Sequence, residues 1–221
     1  MPCSTRIDIR IEDLGQIEYK QWRDLLPEIF AKVGEGEFDL YLQFCEHPRV
    51  ITVGRSGLGM GFKEREDHWP VISVDRGGSI TAHFPGQLMI YPVVNLKRFS
   101  LGIRSWLKGL IGLVRSVLCE MGVDLEERQF GLWNDKGKVV SFGLGARRYI
   151  SYHGVGLIYR SDDEVNRLIW PCGEEGRFSS LEEMGLYRDG IREELIYRLS
   201  EKFVTYFTSP ELSGKINQFR F

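Results

Sequence analysis

Of the four cysteines in the chain (Cys3, Cys45, Cys119 and Cys172), one has a setting suited to nucleophilic chemistry. Cys172 stands in Pro171-Cys172-Gly173, where the chain must change direction. A glycine after a thiol leaves nearby backbone N–H groups unhindered, and such donors can stabilise an oxyanion. The thiolate is the reactive form, so it needs a base or a cationic neighbour. Three side chains qualify by type: Lys138, at the head of Val139-Val140-Ser141-Phe142-Gly143; His83; and His153, in Ser151-Tyr152-His153-Gly154. A partly desolvated lysine can act as base and acid near neutral pH. A cysteine–histidine pair would suit hydrolase-like chemistry. Each residue also has a plainer reading: a small buried thiol, a solvated lysine, a hydrogen-bonded structural histidine. Cys45 and Cys119 fit plain packing, and His47 and His68 have no comparable context.

A second concentration of useful side chains is Asp75–Gln87, which packs Arg76, His83, Pro85 and three glycines between two apolar runs. Glycine permits close backbone approach and proline removes a donor, so this stretch cannot be a regular helix. An irregular loop carrying Arg and His is a natural ligand site. Arg76 and Arg55 could each grip a carbonyl, phosphate or carboxylate through the guanidinium fork. Neither lies in a G-x-x-x-x-G-K-[ST] loop, and no G-x-G-x-x-G marks a strand-to-helix turn, so no nucleotide site is visible by motif.

The elements that must position these groups follow from periodicity. Arg6–Ile11 alternates as a half-buried strand. Gly15–Val33 carries apolar residues at helical spacing, with a kink or break expected near Leu26 because of Pro27, and with Gly34 and Gly36 as stops. Phe38–Phe44 and Val50–Val53 read as strands, and Gly54–Gly61 as a flexible loop. Ile103–Met121 is the clearest helix, with Trp106, Leu110, Val114 and Val117 on one face and Gly122 as its terminating glycine. Short strands follow around Arg128–Trp133, Lys138–Leu144 and Tyr149–Tyr159, the first two joined by a turn at Asn134–Gly137. Ser161–Glu164 opens a short helix, Ser179–Met184 suggests another, and Ile191–Phe207 is a final amphipathic helix. The tail after Pro210 reads as loosely held. Hairpins mixed with a few long helices give an α+β fold around a mixed, largely antiparallel sheet.

The 221 residues suffice for one substantial core, so a single domain over 1–221 is expected. The net charge of −2 argues against a nucleic-acid footprint. Scattered cysteines without Cys-x-x-Cys spacing read as free thiols in a reducing compartment, with no structural metal. With neither an apolar leader nor a membrane-length run, a cytoplasmic location is expected.

Four segments, taken in order, resemble the lipoyl(octanoyl) transferase family. They are Glu46-His47-Pro48 leading to Thr52-Val53-Gly54-Arg55; Arg76-Gly77-Gly78 through His83 to Gln87; Gly131-Leu132-Trp133 with Lys138–Gly143 and His153-Gly154; and Pro171-Cys172-Gly173 with Ser180-Leu181. The resemblance spans most of the chain and implies the fold shared by biotin and lipoate protein ligases. It implies transfer of an octanoyl group from acyl carrier protein to one lysine of a lipoyl domain, in a 2-oxoacid dehydrogenase or a glycine-cleavage carrier protein. It maps the catalytic pair onto Cys172 and Lys138. It places substrate-binding residues at Arg76, Gly77, Gly78, Ser79, Ile80, Thr81, Ala82 and His83, at Ser141, Phe142 and Gly143, and at His153, Gly154 and Val155. It implies no cofactor and a monomer. The alternatives are an ATP-dependent ligase of the same fold, a non-catalytic binder of acylated carriers or lipoyl domains, and, more distantly, the Cys/His hydrolase.

The sequence departs from that family's pattern in the loop. Where the family reads Thr-Tyr-His-Gly-Pro-Gly-Gln, this chain has Ala82 in place of the tyrosine and Phe84 in place of the first glycine. A positive φ at position 84 would strain phenylalanine, and the space left by tyrosine could receive the phenyl ring. Ile158 stands where the family commonly has asparagine. These changes bear on pocket shape and acyl-chain length and leave Cys172 and Lys138 in place.

Overall fold

The computed structural model describes residues 7–57, 61–62, 69–129, 131–171 and 176–212. Cys172, Cys3 and His68, residues 58–60 of the loop expected over Gly54–Gly61, and the tail from 213 lie outside them. The chain runs β1 (Ile9–Gln16), α1 (Tyr19–Glu35), β2 (Leu40–Glu46), β3 (Val50–Val53), β4 (Val71–Ser73), β5 (Ile80–His83), β6 (Gln87–Asn95) and α2 (Ile103–Glu120). It continues through β7 (Glu126–Arg128), β8 (Gly131–Trp133), β9 (Lys138–Arg147), β10 (Ile150–Ile158), α3 (Val165–Leu168) and α4 (Ile191–Thr208). Seven strands form one sheet in the order β1-β2-β6-β10-β9-β8-β7, and β4-β3-β5 form a smaller one. Only β1–β2 and β3–β4 pair in parallel, so the fold is α+β with a mostly antiparallel sheet, as expected.

Both central strands β2 and β6 are buried on two faces, and their alternation sorts the molecule into layers. Leu40, Leu42, Phe44, Leu88 and Ile90 share a core with Trp106, Leu110, Leu199 and Phe203 of α2 and α4. On the opposite face Cys45, Met89 and Tyr91 pack with Tyr19 and Trp22 of α1, and Tyr41 and Val93 pack with Ile29 and Val33. A third cluster lies beneath the small sheet, where Ile51, Val53, Ile80, Ala82 and Phe84 meet Leu168, Ile169 and Phe178. No helix among the described residues is long and apolar enough to cross a membrane.

Four expectations are corrected. Helix α1 runs unbroken through Pro27. The carbonyl deprived of a donor is that of Arg23, and both residues are exposed, so water can serve it. Gly15 and Gln16 belong to β1, whose last rung pairs Gln16 with Glu46, and not to the helix. Ser179–Met184 forms successive turns rather than a helix, with Ser180 Oγ accepting from the Glu183 N–H at 3.1 Å. Within the Asp75–Gln87 stretch, Ile80–His83 is a regular strand paired antiparallel with β3 and Gln87 opens β6, so the irregular parts are Asp75–Ser79 and the turn at Phe84–Gly86.

Candidate active site

Glycines on one sheet face create the site. Met89 of β6 pairs with Gly156 of β10, which pairs with Ser141 of β9, and two residues along Gly154 pairs with Gly143; Gln87 and Tyr91 share the face of Met89. Paired residues share a face, so three glycines leave that face bare where neighbouring strands carry side chains. The small sheet and the Asp75–Ser79 loop stand over this bare patch. Between them is a cavity of about 460 Å³, walled by Ile80, Met89, Leu107, Phe142 and Leu144, with Arg76, His83 and His153 among its polar lining. Volumes of roughly 300–1,000 Å³ are typical of small-molecule sites. Lining residues are exposed at Ser56, Arg104 and Gln129 and buried at Tyr19, His83, Gln87, Met89 and Tyr91, which marks the open and closed ends.

The loop is held by Arg76. Its guanidinium donates to the Thr52 carbonyl at 2.9 Å, to Thr52 Oγ1 at 3.0 Å and to the Gly77 carbonyl at 3.0 Å. The Gly77 N–H donates to the Leu144 carbonyl at 2.8 Å, so the loop joins the small sheet to the large one. Gly54 makes the approach possible: a Cβ there would sit 2.3 Å from the Gly78 carbonyl oxygen.

Thr52 passes the contact on. Its hydroxyl accepts from Arg76 and donates to His83 Nε2 at 3.1 Å, while His83 Nδ1–H donates to Gln87 Oε1 at 2.8 Å. His83 stacks on Tyr19 with ring centroids 5.8 Å apart. Burial drives its pKa well below the ordinary histidine value, so the ring is neutral. His47 is a related case. Its Nδ1–H donates to the Ile17 carbonyl at 2.7 Å, and its Nε2 accepts from the Tyr91 hydroxyl at 2.9 Å. Burial pushes its pKa down to about 4. Sequence reasoning gave His47 no context; the partner that supplies one, Tyr91, is 44 residues away.

Next to His47, Glu46 holds the corner between β5 and β6. Its carboxylate accepts from the Gly86 N–H at 2.8 Å, the Tyr159 hydroxyl at 2.8 Å and Arg192 Nε at 2.9 Å. Arg192 also forks onto Asp13 at 2.6 and 2.8 Å. This ties α4 and β1 to the corner that sets His83 and Gln87.

His153 owes its orientation to Pro92. In mid-sheet, β6 pairs regularly with β2 through Leu42–Pro92, but its ladder to β10 skips Tyr152–Gly154 and then resumes in unchanged register. Proline has no N–H to offer that rung. Opposite it, His153 adopts φ 59°, a left-handed conformation uncommon for a residue with a side chain. Gly154 is required there because a Cβ would lie 2.0 Å from the Ile90 carbonyl oxygen. The result aims His153 Nε2 at Asp75 Oδ1, 2.9 Å away, while the Tyr152 hydroxyl donates to Asp75 Oδ2.

Lys138 stands at the head of β9 with no exposed surface. A register shift between Leu132 and Trp133 turns this end of the strand, and Lys138 Nζ lies 5.4 Å from the Trp133 ring centroid, within cation–π range. A Cβ on Gly131 would fall 2.1 Å from Lys138 Cε, so the lysine stem occupies the space that glycine leaves. The Lys138 N–H donates to the Arg177 carbonyl at 2.9 Å and its carbonyl accepts from Ser179 at 3.0 Å. The head of β9 is thus bound to the chain just beyond Cys172, which itself lies outside the described residues.

Of the residues the resemblance assigned to substrate, Arg76, Gly77, Gly78, Ser79, Ile80, Thr81 and His83 line the cavity, as do Ser141, Phe142, Gly143, His153 and Gly154. Ala82 and Val155 do not: strand alternation sends Ala82 into the core under the small sheet and Val155 into the main core. Phe84 is wholly buried in the same cluster as Ala82 and is absent from the positive-φ residues, so the backbone strain feared there does not arise. Tyr19, Tyr91, Met89 and Gly156 also line the cavity and were missed. The one sequence signal was the period-two repeat of Gly154 and Gly156 within a strand. Among the described residues, no group of three His, Cys, Asp or Glu side chains could hold a metal ion.

Comparison with known proteins identifies the chain's relatives. Residues 24–204 match the lipoyl protein ligase A/B catalytic domain. An octanoyltransferase of Desulfovibrio desulfuricans is 35% identical over 171 residues, covering 74% of this chain and 72% of that protein. An octanoyltransferase of Nitratidesulfovibrio vulgaris is 34% identical over 215 residues, covering 91% and 96%. In fold, the chain is similar to a bipartite lipoate protein ligase from Thermoplasma acidophilum, with TM-score 0.70 at 13% identity over 96% of this chain and 92% of that one. On the strength of a domain match that covers most of its length, the chain belongs to the lipoyl protein ligase A/B catalytic domain family.

Proposed function

We propose that this protein transfers an octanoyl group from octanoyl-acyl carrier protein to a lysine of a lipoyl domain, through a thioester on Cys172 with Lys138 as acid and base. It is an acyltransferase, in keeping with relatives named octanoyltransferase that cover 74% and 91% of this chain. The observation that carries the mechanism is the burial of Lys138 where the backbone of β9 is bonded to the segment following Cys172. A surface lysine would be solvated and inert; a desolvated one can exchange a proton with a thiol.

Lys138 takes the Cys172 proton and the thiolate attacks the donor carbonyl carbon. The carrier thiol leaves, and the octanoyl group rests on Cys172. The acceptor amine then attacks, the C–S bond breaks and an amide forms. Exchange between thioesters costs little and amide formation is downhill, so no ATP is consumed. Enclosure protects the acyl-enzyme from water. The apolar cavity under Asp75–Ser79 receives the alkyl chain, with Arg76 fixing the loop and His83 at the closed end. The physiological acceptors are lipoyl domains of 2-oxoacid dehydrogenases or the glycine-cleavage carrier protein, and the enzyme works as a cytoplasmic monomer.

The test combines the protein, octanoyl-acyl carrier protein and a lipoyl domain without ATP, with products weighed by mass spectrometry. Octanoylation of the domain is expected, falling by roughly 10³-fold or more in Cys172→Ala and in Lys138→Ala. Full activity in Cys172→Ala sinks the mechanism. Transfer only from free octanoate plus ATP marks a ligase, and tight binding without turnover marks a carrier binder.

A further inference from the structure

Charge is unevenly spread along this chain. No Asp or Glu occurs between Asp75 and Glu120 or between Asp135 and Asp162, although the net charge of the whole is −2. These two segments supply β5, β6, α2, β9 and β10, and with them most of the cavity wall. The lining runs past the point where β9 loses its outer neighbour: β8 flanks it only from Lys138 to Ser141, while the wall continues along Phe142, Gly143 and Leu144. Four exposed arginines stand around this opening. Arg104, at the start of α2, is part of the lining, and Arg55 adjoins the lining residue Ser56, with its charge acting on His153. Arg147 ends β9, and its charge acts on Tyr152, whose hydroxyl donates to Asp75 in the roof loop. Arg148 follows at the hairpin tip, where it and Tyr149 hold positive φ and Tyr149 is 66% exposed. Among the described residues none of the four has a carboxylate partner, whereas Arg49, Arg128, Arg177, Arg188 and Arg192 are ion-paired elsewhere. Asp75, the acidic residue of the roof loop, already accepts from Tyr152 and His153.

We infer that this rim is the docking surface for the acyl donor and selects its carrier by negative charge: an acidic protein surface set over the mouth of the cavity, with the phosphate of its prosthetic arm gripped by the arginines. The inference rests on the octanoyl-transfer reading above and names where that reaction's donor binds. Unpaired cations gathered on one rim raise the local potential, which steers an oppositely charged partner and quickens its arrival. Arginine suits a phosphodiester because its planar fork meets two oxygens at once. The donor needs such a hold more than the acceptor does. Its whole alkyl chain must thread through the mouth before the carbonyl can react, and the carrier must stay over the opening meanwhile. The acceptor brings a single amine to a carbonyl already in place. Tyrosine and arginine are enriched at protein interfaces. Here the two stand side by side at the hairpin tip, in a left-handed backbone conformation that residues with side chains seldom adopt.

The test compares two donors, octanoyl-acyl carrier protein and the small uncharged thioester octanoyl-N-acetylcysteamine. Acylation is followed by intact mass in the unsubstituted protein and in the double variant Arg147→Glu, Arg148→Glu, with thermal melts to confirm folding. KM for the carrier-bound donor is expected to rise roughly 10-fold or more at unchanged kcat. The unsubstituted protein is expected to lose its preference for that donor as salt is raised. Acylation by the small thioester is expected to match in the two proteins. Should the charge reversal melt early, the milder pair Arg147→Gln, Arg148→Gln is expected to shift KM in the same direction. Equal losses with both donors, an unchanged KM for the carrier-bound donor, or a slowing confined to a later chase with a lipoyl domain overturns the inference. Failure of the unsubstituted protein to be acylated by either donor overturns the octanoyl-transfer reading and this inference with it.

Discussion

Glycine serves opposite purposes at two positions that look alike in the sequence. Gly131 is small because Lys138 needs its space, whereas a Cβ on Gly112 of α2 would have no heavy atom within 4 Å. Gly131→Ala is therefore expected to displace the lysine and lower transfer by roughly 100-fold or more, since misplacement by about 1 Å can cost that much. Gly112→Ala should raise stability by about 0.5–1 kcal/mol, because glycine in a helix interior is entropically costly. Paired thermal melts and transfer assays check both, and an active Gly131→Ala protein would count against the packing argument. At this scale the residue types were legible and their partnerships were not. Cys172 and Lys138 advertise their chemistry by kind. Asp75 is hydrogen-bonded to a residue 78 positions away, and no local pattern announces such a pair.

Among the elements, α1 shows local rules yielding to context. Pro27 should end a helix, yet α1 continues through it because the unpaired carbonyl faces water and Trp22, Ile29 and Val33 anchor the helix on both sides. Restoring the donor with Pro27→Ala is expected to stabilise the protein by up to about 3 kcal/mol, read as a higher urea midpoint at unchanged slope; a lower midpoint would mean that the proline sets a needed bend. The long helices α2 and α4 were legible because a stripe of apolar residues repeats over many turns. So was the Asn134–Gly137 turn, whose Asn134 Oδ1 accepts from the N–H groups of Lys136 and Gly137 at 2.9 and 2.7 Å. The hairpin joining β9 and β10 gave no such signal. It turns on Arg148 and Tyr149, both at positive φ, where Asn and Gly would ordinarily stand. Strand β5 was hidden for another reason: its partner β3 lies beyond an intervening segment, so the rungs that define it are not local.

Over the whole molecule, two buried neutral histidines couple folding to acidity. Folded His47 has a pKa pushed down to about 4, from 6.5, and that of His83 falls well below the same value. Between about pH 6.5 and 4 the unfolded chain therefore binds protons that the folded chain refuses, so stability falls as pH falls through that window. A loss on the order of 3 kcal/mol from His47 alone is expected by about pH 4. Urea titrations across that range measure it, and the acid loss should shrink in His47→Gln; an unchanged loss would place the coupling elsewhere. The α+β class was legible from hairpins alternating with long helices, whereas the division into two sheets with separate cores was not, since it depends on which strands fail to pair. That division has a consequence for inheritance. The floor of the cavity is cut into the large sheet, while its roof rests on the cluster that holds Ala82, Phe84 and Ile158. Apart from Ile80, which also lines the cavity, substitutions in that cluster reshape the chamber by tilting its roof, without changing a side chain of the lining. Selectivity and chemistry can therefore drift separately, and the three positions where this chain departs from the family's pattern, Ala82, Phe84 and Ile158, fall on the side that is free to vary.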